Sequence, residues 1–584
     1  MRKTKIVCTI GPASEKPEIL RALMKNGVNV IRLNLSHGDH QEHARRISLI
    51  KEIREELNIP VAILIDTKGP EIRIGKFKQG QVELVEGQNF TITTEDIIGD
   101  ETKVSISYKE ITSDLQRGNM ILLDDGLIEL RVEQVDENEI RCKVVNGGVL
   151  GNQKGVNIPG VSVGLPAITQ KDIDDIKFGI AQEIDYIAVS FVRKASDVLE
   201  VRRVLEENNG ADVKIIAKIE NQEGLENFDD ILKVADGIMI ARGDLGVEIP
   251  TEEVPVAQKR LIKKCIEAGK PVITATQMLD SMIRNPRPTR AEANDVANAI
   301  YDGTDAIMLS GETAAGKYPV EALLTMRRIA ERIENSIDYK SAFENRVVIG
   351  GATVTNSISH ATCVIAHDLG ASAILTATET GYTARMVSKY RPASTIIATT
   401  TSERTYRELA LVWGVWPYMA PKVDNTDEMI QNSVDIATET GIVKNGDVIV
   451  ITGGVPVGIS GTTNLIKVHI VGDILVKGTG VGNTSVYGKV CIVENIVDAR
   501  MKFEEGDILV ARSTDNSLLP FIKKASGIIT EEGGITSHAA IVGLSLEIPT
   551  IVGAQEATEI LKDGLCVTID PVRGFVYNGR SKVI

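Results

Sequence analysis

Lys218 and Glu220 stand two residues apart in the apolar run Ile215–Asn221. Side chains on a β-strand alternate between its two faces, so residues two apart point the same way and this pair shares a face. Burying an ammonium and a carboxylate together costs free energy unless both groups have partners. The pair is therefore either a structural ion pair or part of an active site. Its position at the end of a predicted strand favours an active site.

A second motif, Ala241–Gly246, carries Asp244 where a predicted strand turns into a Gly-containing helix start. Glu220 and Asp244 would lie at the ends of consecutive strands, close enough to hold one divalent ion. Two carboxylates completed by substrate oxygens and water form a typical magnesium shell. The amides after Gly243 could also receive a carboxylate at the helix amino end. Alone, such a motif usually marks a helix cap; together with Lys218 it predicts a magnesium site.

The run Ile31–Gly38 adds groups that suit a phosphate and a cation. Arg32 has a planar guanidinium that matches a phosphate, and it shares a strand face with two neutral oxygen donors. Hard oxygens of the kind that bind cations occur here and at the end of the third apolar run: Asn34, Ser36, Asp66 and Thr67. The alternative is that these residues only cap the next helix. Thr276, near the end of another strand-like run, offers a hydroxyl that means little by itself.

These polar groups fall at the ends of apolar, strand-like runs that alternate with amphipathic helical stretches from residue 4 to about residue 335. The runs are Thr4–Gly11, Val28–His37, Val61–Gly69, Ile184–Phe191, Val213–Asn221, Gly237–Gly243, Val272–Met278 and Ala306–Gly311. Such runs, joined by helices, predict a closed parallel (β/α)8 barrel. The active site of such a barrel lies at the carboxyl ends of its strands, where the polar residues occur.

The alternation breaks between about residues 70 and 166, where short segments such as Ile128–Val132 predict a small all-β insertion. An insertion at the active-site end can act as a lid, with Pro70 and Pro166 as its hinges. Later strands such as Ala373–Thr376 predict a second α/β unit, and the last stretch is β-rich with a helix after Thr536. The predicted domains are a barrel of residues 1–69 and 167–345, a β lid of residues 70–166, an α/β domain of residues 346–473 and a swivelling β/α domain of residues 474–584.

Composition excludes several classes of protein. The formal net charge of −15 argues against a general binder of nucleic acid or anionic membranes. The six cysteines form no C-x-x-C pair, and no signal peptide precedes the first strand, which together predict reduced thiols in a cytoplasmic protein. Because no apolar segment reaches 18 residues, no membrane-spanning helix is expected.

Six segments resemble, in order, the signature segments of pyruvate kinases, and the resemblance covers about residues 1–472. They are Thr9–Pro12, Ile31–Gly38, Asp66–Arg73, Ala217–Asn221, Ala241–Gly246 and Thr274–Leu279. The resemblance implies transfer of a phosphoryl group from phosphoenolpyruvate to ADP, giving pyruvate and ATP. It also implies Mg²⁺ and K⁺ as cofactors, an allosteric effector and a homotetramer. In this family an acidic residue at the position of Glu71 goes with potassium dependence, so a potassium requirement is expected.

The same resemblance assigns roles to individual residues. Lys218 would stabilise the phosphoryl group in flight, and the region of Thr276 would protonate the enolpyruvate through ordered water. Contacts to phosphoenolpyruvate are expected from Arg32, Lys218, Gly243, Asp244 and Thr276. Magnesium would bind Glu220 and Asp244, and potassium would bind Asn34, Ser36, Asp66 and Thr67. Nucleotide contacts are expected from Arg73, Lys154, Asn34 and His37.

Two motifs resemble a phosphate-binding loop and a metal site, but neither is interpreted as one. The segment Gly311–Lys317 nearly matches a phosphate-binding P-loop, but Tyr318 stands where Ser or Thr should coordinate magnesium. His37, His40 and His43 are spaced three residues apart, which would suit a metal. The preferred interpretation is that His40 and His43 face solvent on the helix after the second strand.

The carboxyl-terminal half carries two further motifs. The turn before the helix at Tyr382 resembles the effector loop of allosteric pyruvate kinases, with Thr378, Thr380 and Thr383 as phosphate contacts and the stretch Thr452–Thr463 closing over the ligand. The alternative is a plain helix cap. Gly533–Ala540 resembles the mobile phosphohistidine domain of enzymes such as pyruvate phosphate dikinase, in which His538 would carry a phosphoryl group. Since no ATP-grasp domain is present to load it, a structural or regulatory module is the favoured interpretation.

Two other functions remain open at this point. A magnesium-dependent barrel lyase or aldolase acting on pyruvate-like acids would also use paired carboxylates and an arginine, but it gives no account of the lid, Lys218 or Lys154. A phosphohistidine carrier or regulatory protein would rest on His538 alone. Nothing in the sequence distinguishes a sugar phosphate from a nucleotide monophosphate as the effector.

Overall fold

The computed structural model describes residues 1–344, 351, 353–423, 425–455, 463–472 and 474–581. The chain divides into two compact units. One contains residues 1–351, 384–391 and 402–417, and the other contains residues 352–383, 392–401 and 418–584.

The first 344 residues hold most of the first unit. Their strands are β1 (Lys5–Thr9), β2 (Val30–Asn34), β3 (Ala62–Asp66), β4 (Gln81–Leu84), β5 (Asn89–Thr93), β6 (Lys103–Ser105), β7 (Met120–Leu123), β8 (Ile128–Val135), β9 (Glu139–Asn146), β10 (Gly148–Gly151), β11 (Val156–Asn157), β12 (Tyr186–Val189), β13 (Lys214–Ile219), β14 (Gly237–Ala241), β15 (Val272–Ala275) and β16 (Ala306–Leu309). Their helices are α1 (Pro17–Lys25), α2 (His40–Leu57), α3 (Ile111–Asp114), α4 (Gln170–Ala181), α5 (Ala195–Glu207), α6 (Gln222–Glu226), α7 (Phe228–Val234), α8 (Arg242–Glu248), α9 (Val254–Ala268), α10 (Arg290–Tyr301), α11 (Gly311–Ala314), α12 (Pro319–Glu334) and α13 (Tyr339–Glu344).

Eight parallel strands close into a barrel in the order β1-β16-β15-β14-β13-β12-β3-β2. Each strand is apolar on both faces, because one face fills the barrel interior and the other packs under the helices. The interior contains Val7, Val30, Leu64, Ala188, Ile216, Met239, Ile273 and Met308. The predicted (β/α)8 barrel is confirmed, and every barrel strand lies within one of the predicted runs.

The chain between β3 and α4 forms two small sheets with their own core. One sheet pairs β10 with β4, and the other has the order β11-β7-β8-β9-β5-β6. Their buried side chains include Phe90, Ile92, Ile121, Leu130 and Ile140. We call residues 70–166 the inserted β domain. Its action as a lid and the boundaries of the four domains remain predictions.

The rest of the chain is also mixed α/β. Its strands are β17 (Ala373–Ala377), β18 (Thr395–Thr400), β19 (Val415–Met419), β20 (Val448–Gly453), β21 (Leu465–Ile470), β22 (Ile474–Lys477), β23 (Thr479–Val481), β24 (Val486–Ile492), β25 (Ile508–Ala511), β26 (Gly527–Thr530), β27 (Thr550–Val552), β28 (Cys566–Asp570) and β29 (Phe575–Asn578). Its helices are α14 (Val354–Asp368), α15 (Tyr382–Ser388), α16 (Glu403–Glu408), α17 (Thr426–Glu439), α18 (Ile496–Lys502), α19 (Leu519–Ile522), α20 (His538–Ser545) and α21 (Ala557–Ile560).

These strands form two further sheets. The first has the order β19-β18-β17-β20-β21, and the second has the order β22-β29-β28-β24-β25-β26-β27-β23. The helix predicted after Thr536 is α20, whose first turn is capped by the Ser537 hydroxyl. Over the part of the chain that the structure describes, no helix combines the length and the apolar character needed to cross a membrane.

Candidate active site

Lys218 lies at the carboxyl end of β13, inside the mouth of the barrel. Its Nζ is 3.2 Å from Asp66 Oδ1 and 3.0 Å from Glu220 Oε1, and it donates to Ser190 Oγ at 2.8 Å. Burial disfavours the ammonium, yet the carboxylates of Asp66 and Glu220 raise the pKa of Lys218 above its usual value. The side chain is therefore held charged in a site where water screens little.

Glu220 and Asp244 bring two carboxylates together beside this lysine. Burial raises the pKa of Glu220 to about 7, with Lys218 opposing and the Asp244 carboxylate adding to the rise. Burial likewise raises the pKa of Asp244. A buried carboxylate next to a half-buried one supplies hard oxygens that fit a divalent ion, which would relieve their repulsion. Because no group of three or more His, Cys, Asp or Glu among the described residues is arranged to hold a metal, substrate oxygens and water would complete the shell.

Arg32 and Asp66 extend the charged cluster of the mouth to β2 and β3. Arg32 Nε lies 2.7 Å from Asp66 Oδ2, and its Nη1 donates to Thr9 Oγ1 at 3.0 Å. Burial opposes the charged carboxylate, but Arg32 and Lys218 hold the pKa of Asp66 below its usual value. Asp66 thus links the two cations of the site into one buried network.

The four predicted potassium ligands lie at the ends of these same two strands. Asn34 pairs in register with Asp66, and Asn34 Oδ1 accepts from the Ser36 amide at 3.1 Å. Thr67 is buried and follows Asp66 directly. The set supplies one carboxylate and several neutral oxygens, which fits a hard cation.

Thr276 follows β15 in a turn whose backbone is strained. Thr276 and Gln277 both have positive φ, 67° and 54°, which residues other than Gly rarely adopt. The Gly243 amide donates to Thr276 Oγ1 at 2.7 Å, and the hydroxyl donates to the Ala275 carbonyl at 2.6 Å. Arg242 supports the turn by donating to the Thr276 carbonyl at 2.8 Å.

A cleft of about 420 Å³ lies between the inserted β domain and the barrel, and Asp244 forms part of its wall. The predicted nucleotide-binding residues Arg73 and Lys154 also line it. Arg73 pairs with Glu71 at 2.7 Å, and Lys154 Nζ lies 2.9 Å from Asp124 Oδ1. The cleft therefore presents two cations, each neutralised by a carboxylate, next to the charged mouth.

Three residues after β12 belong to the site and were missed by sequence analysis. Ser190 contacts Lys218, the Phe191 amide donates to Glu220 Oε2 at 2.6 Å, and Arg193 lines the cleft. The available signal was position, because the fourth predicted run ends at Ser190 and Phe191. Neither residue type suggested chemistry by itself.

The histidine interpretation needs one correction. His43 was expected to face solvent on α2, but it is buried, and its Nε2 lies 2.8 Å from the His37 carbonyl. The prediction was wrong because the ring packs back against the loop before the helix. His40 is exposed on α2, where its Nε2 lies 2.7 Å from Asp175 Oδ1. His37 is exposed in the loop between β2 and α2.

Comparison with known proteins identifies the family. The family model described as pyruvate kinase, barrel domain, matches residues 1–323. Pyruvate kinases of Geobacillus stearothermophilus, Bacillus licheniformis and Staphylococcus aureus (strain MRSA252) are 56%, 55% and 52% identical, and each alignment covers 100% of this chain and 100% of the relative. The chain belongs to the pyruvate kinase family.

The rest of the chain matches two further family models. Pyruvate kinase, alpha/beta domain, matches residues 356–469, and PEP-utilising enzyme, mobile domain, matches residues 503–574. The pyruvate kinase relatives share the carboxyl-terminal extension, since their alignments extend over the full length. The resemblance of residues 474–584 to a mobile domain is therefore confirmed for the matched part.

The residues predicted to bind the effector surround the start of α15. Thr383 Oγ1 lies 2.8 Å from Thr463 Oγ1, both buried, and the Thr378 amide donates to the Thr399 carbonyl at 3.0 Å. Thr380 is exposed. Of the stretch expected to close over the ligand, residues 456–462 lie outside the described residues.

His538 begins α20 and is half-buried. Its Nδ1 lies 3.0 Å from Thr514 Oγ1, and its Nε2 lies 3.2 Å from Asn516 Oδ1. Both ring nitrogens thus have polar partners on the loop after β25.

Proposed function

We propose that the chain transfers the phosphoryl group of phosphoenolpyruvate to ADP, giving pyruvate and ATP, and depends on Mg²⁺ and K⁺. The observation that carries the proposal is the position of Lys218, held between Asp66, Glu220 and Ser190 beside Asp244. Phosphoryl transfer needs positioning and charge neutralisation more than covalent help from the protein. A fixed ammonium beside Asp244, which lines the cleft together with Arg73 and Lys154, meets that need.

One group of residues binds phosphoenolpyruvate, and another binds the nucleotide. Arg32 and Lys218 hold the phosphoryl group of phosphoenolpyruvate, and the nucleotide is bound by Arg73 and Lys154, which receive its phosphates, together with Asn34 and His37. Glu220 and Asp244 would hold Mg²⁺, which neutralises the transferred phosphoryl group and the developing enolate. The oxygens of Asn34, Ser36, Asp66 and Thr67 would hold K⁺, which adds positive charge beside the phosphoryl group.

Thr276 orients the enolpyruvate and its proton donor. Its hydroxyl proton is engaged by the Ala275 carbonyl, and its oxygen accepts from the Gly243 amide. A threonine hydroxyl is also a poor acid, so an ordered water near Thr276 delivers the proton more readily than the side chain does.

A coupled assay of pyruvate formation from phosphoenolpyruvate tests this function. We expect turnover only with both ADP and Mg²⁺ present, and stimulation by K⁺. Pyruvate formation without ADP would favour a lyase or aldolase, which shares the paired carboxylates but transfers no phosphoryl group. Absence of turnover with all components present would contradict the proposal.

We also propose that a phosphorylated small molecule activates a homotetramer by binding Thr378, Thr380 and Thr383. Hydroxyls and amides in a turn before a helix are suitable phosphate donors, and Thr383 already contacts Thr463 across the turn. Thr383→Val should leave the basal rate unchanged and weaken activation by a sugar phosphate or a nucleotide monophosphate. Equal activation of the variant and the wild type by both would contradict this assignment.

A further inference from the structure

The four residues that follow β12 are Ser190–Arg193. This segment contacts Lys218 and Glu220 in the barrel mouth, and it also contacts both chain connections of the inserted β domain. We call it the coupling segment. Towards the mouth, Ser190 Oγ accepts from Lys218 Nζ and donates to the Thr67 carbonyl at 2.7 Å. One residue later, the Phe191 amide donates to Glu220 Oε2. Two adjacent residues therefore fix the ammonium and one carboxylate of the site.

The same segment touches both connections by which the chain enters and leaves the inserted β domain. On the entering side, Gly69 has φ 71°, and a Cβ there would lie 2.8 Å from Ser190 Cβ and 3.0 Å from Phe191. Such close approach tolerates only glycine. On the leaving side, the Arg193 guanidinium donates to three backbone carbonyls at 2.7–3.2 Å: Val163, Leu165 and Pro166.

Within the segment, the backbone is strained and held from several sides. Phe191 has φ 56°, a value that costs free energy for a residue other than Gly and persists only where surrounding contacts enforce it. The Arg193 amide donates to Asp197 Oδ2 at 3.0 Å, and Asn227 Nδ2 donates to the Arg193 carbonyl at 3.0 Å. A short segment fixed in this way transmits a displacement at one end to the other.

We propose that the coupling segment is a positioning element that makes the placement of Lys218 and Glu220 depend on the position of the inserted β domain. None of its side chains is assigned to substrate; Ser190 acts through Lys218, the Phe191 amide acts through Glu220, and Arg193 acts through the leaving connection. The proposal rests on the proposed phosphoryl transfer. It explains why the buried Arg193 guanidinium donates to backbone carbonyls of the leaving connection rather than to a phosphate.

A double-mutant cycle in the full-length protein tests the coupling. We expect Ser190→Ala and Arg193→Lys each to lower kcat by about 10–100-fold, because small misplacements of catalytic groups carry large penalties. The double variant should fall at most about threefold below the worse single variant, since both changes break the same link. Effects that multiply in the double variant, or an Arg193→Lys kcat equal to that of the wild type, would overturn the proposal.

Hydrogen exchange supplies a readout that a purely structural role of Ser190 would not move. Because coupling between two sites is reciprocal, Ser190→Ala should speed amide exchange in residues 161–167, although the hydrogen bonds of the Ser190 hydroxyl go to Asp66, Thr67 and Lys218 instead. Unchanged exchange there would also overturn the proposal. Arg202→Lys is a matched control, since Arg202 pairs with Asp236 in the same barrel and lies away from the mouth. We expect it to change kcat less than about twofold and to combine additively with Ser190→Ala.

Two further measurements separate the possible failures. If Arg193→Lys does not fold, Asp197→Asn takes its place in the cycle. This change removes the charge that faces Arg193 Nε at 3.6 Å, and so weakens the hold of Arg193 on the leaving connection. Wild-type protein that lacks ADP-dependent turnover would count against the proposed function. Normal wild-type turnover with multiplicative variants would count against the coupling alone.

Discussion

Two lysines lie inside the same barrel, one at each end of its interior. Lys218 follows Ile216 by two residues on β13, and Lys5 precedes Val7 by two residues on β1. Ile216 and Val7 both belong to the cluster that fills the interior, so both lysines share the inward face of their strands. The exposed fractions are 9% for Lys218 and 2% for Lys5. Residue type, register and burial are thus closely matched.

What differs is the set of partners. Lys218 meets two carboxylates, which raise its pKa. Lys5 Nζ instead donates to the Val415 carbonyl at 2.5 Å and lies 5.0 Å from the centre of the Trp416 ring. Burial lowers the pKa of Lys5 to about 7; Arg2 and Lys3 add to the fall, while Glu334 and Asp305 oppose it. Burial is therefore common to both lysines, and the retained charge is what distinguishes Lys218 from Lys5.

The largest expected effect comes from removing each ammonium in turn. Lys218→Met should lower kcat by about 10²–10³-fold, because a fixed charge that stabilises a transition state typically contributes that much. Lys5→Met, the matched control, should leave kcat within about twofold, since the amino end of a barrel contributes to stability rather than catalysis. The coupled pyruvate assay measures both. A Lys218→Met rate within about tenfold of the wild type would contradict the proposed mechanism.

A second change tests whether positive charge is what the mouth requires. Glu71→Lys should reduce stimulation by K⁺ about tenfold, because a tethered ammonium can supply about 1.4 kcal/mol of the stabilisation that the ion provides. Glu71 now pairs with Arg73 and lies 3.7 Å from Lys68, at the edge of the cleft.

Glu71→Gln is the control for this change. It removes the carboxylate without adding a cation, so its rate should still depend on K⁺. Rates measured with K⁺ replaced by a large organic cation would distinguish the two variants. Equal K⁺ dependence of Glu71→Lys and Glu71→Gln would refute the role of charge.

The fold and the polar strand ends were predictable because their signals are local. Each barrel strand is a continuous apolar run, and Lys218, Asp66 and Arg32 stand where such runs end. The partners of these groups were not predictable. Ser190 reaches Lys218 only because β12 lies beside β13, and the positive φ of Phe191 follows from tertiary contacts that no residue pattern encodes.

Lys5 illustrates the same limit at the other end of the barrel. Its run was predicted as a strand, but its burial depends on residues about 400 positions later, at Val415 and Trp416. His43 was misjudged for a related reason, because the loop before its helix folds over the ring. Contacts distant in sequence decide whether a polar side chain is exposed, and one sequence does not reveal them.

The stability contributed by Lys5 should depend on pH. Between its folded pKa of about 7 and its ordinary value of 10.5, the unfolded chain binds a proton that the folded chain does not. Stability from this group therefore rises with pH across that interval, by about 1.4 kcal/mol per pH unit. Below pH 7 the full penalty of burying the charge is present.

Lys5→Met removes this titration. Its melting temperature should exceed that of the wild type most at pH 6, and the difference should shrink towards pH 9. Melting curves of both proteins across this range measure the effect. A difference that stays constant with pH would indicate that Lys5 remains charged in the folded protein, as Lys218 does.

The smallest effect is expected at His538. Unlike Lys218, it is neither fully buried nor held between carboxylates. It is half-buried, and its ring nitrogens face the neutral oxygens of Thr514 and Asn516. Among the described residues no salt bridge joins it to a carboxylate. His538→Ala should therefore change kcat for phosphoryl transfer to ADP by less than about twofold, since its hydrogen-bond partners, Thr514 and Asn516, are shared with none of the groups proposed to act in the barrel.

A carrier role would require more than a histidine at a helix start. The ring must accept a phosphoryl group, and cations must then neutralise the added charge, as we propose that Arg32 and Lys218 do at the barrel mouth. The chain around His538 instead exposes two apolar side chains, Ile535 before α20 and Ile541 within it. Protein incubated with phosphoenolpyruvate should accordingly carry no phosphohistidine. Label that appears in the wild type and vanishes in His538→Ala would reverse this conclusion, and would make the terminal domain a second site of phosphoryl chemistry.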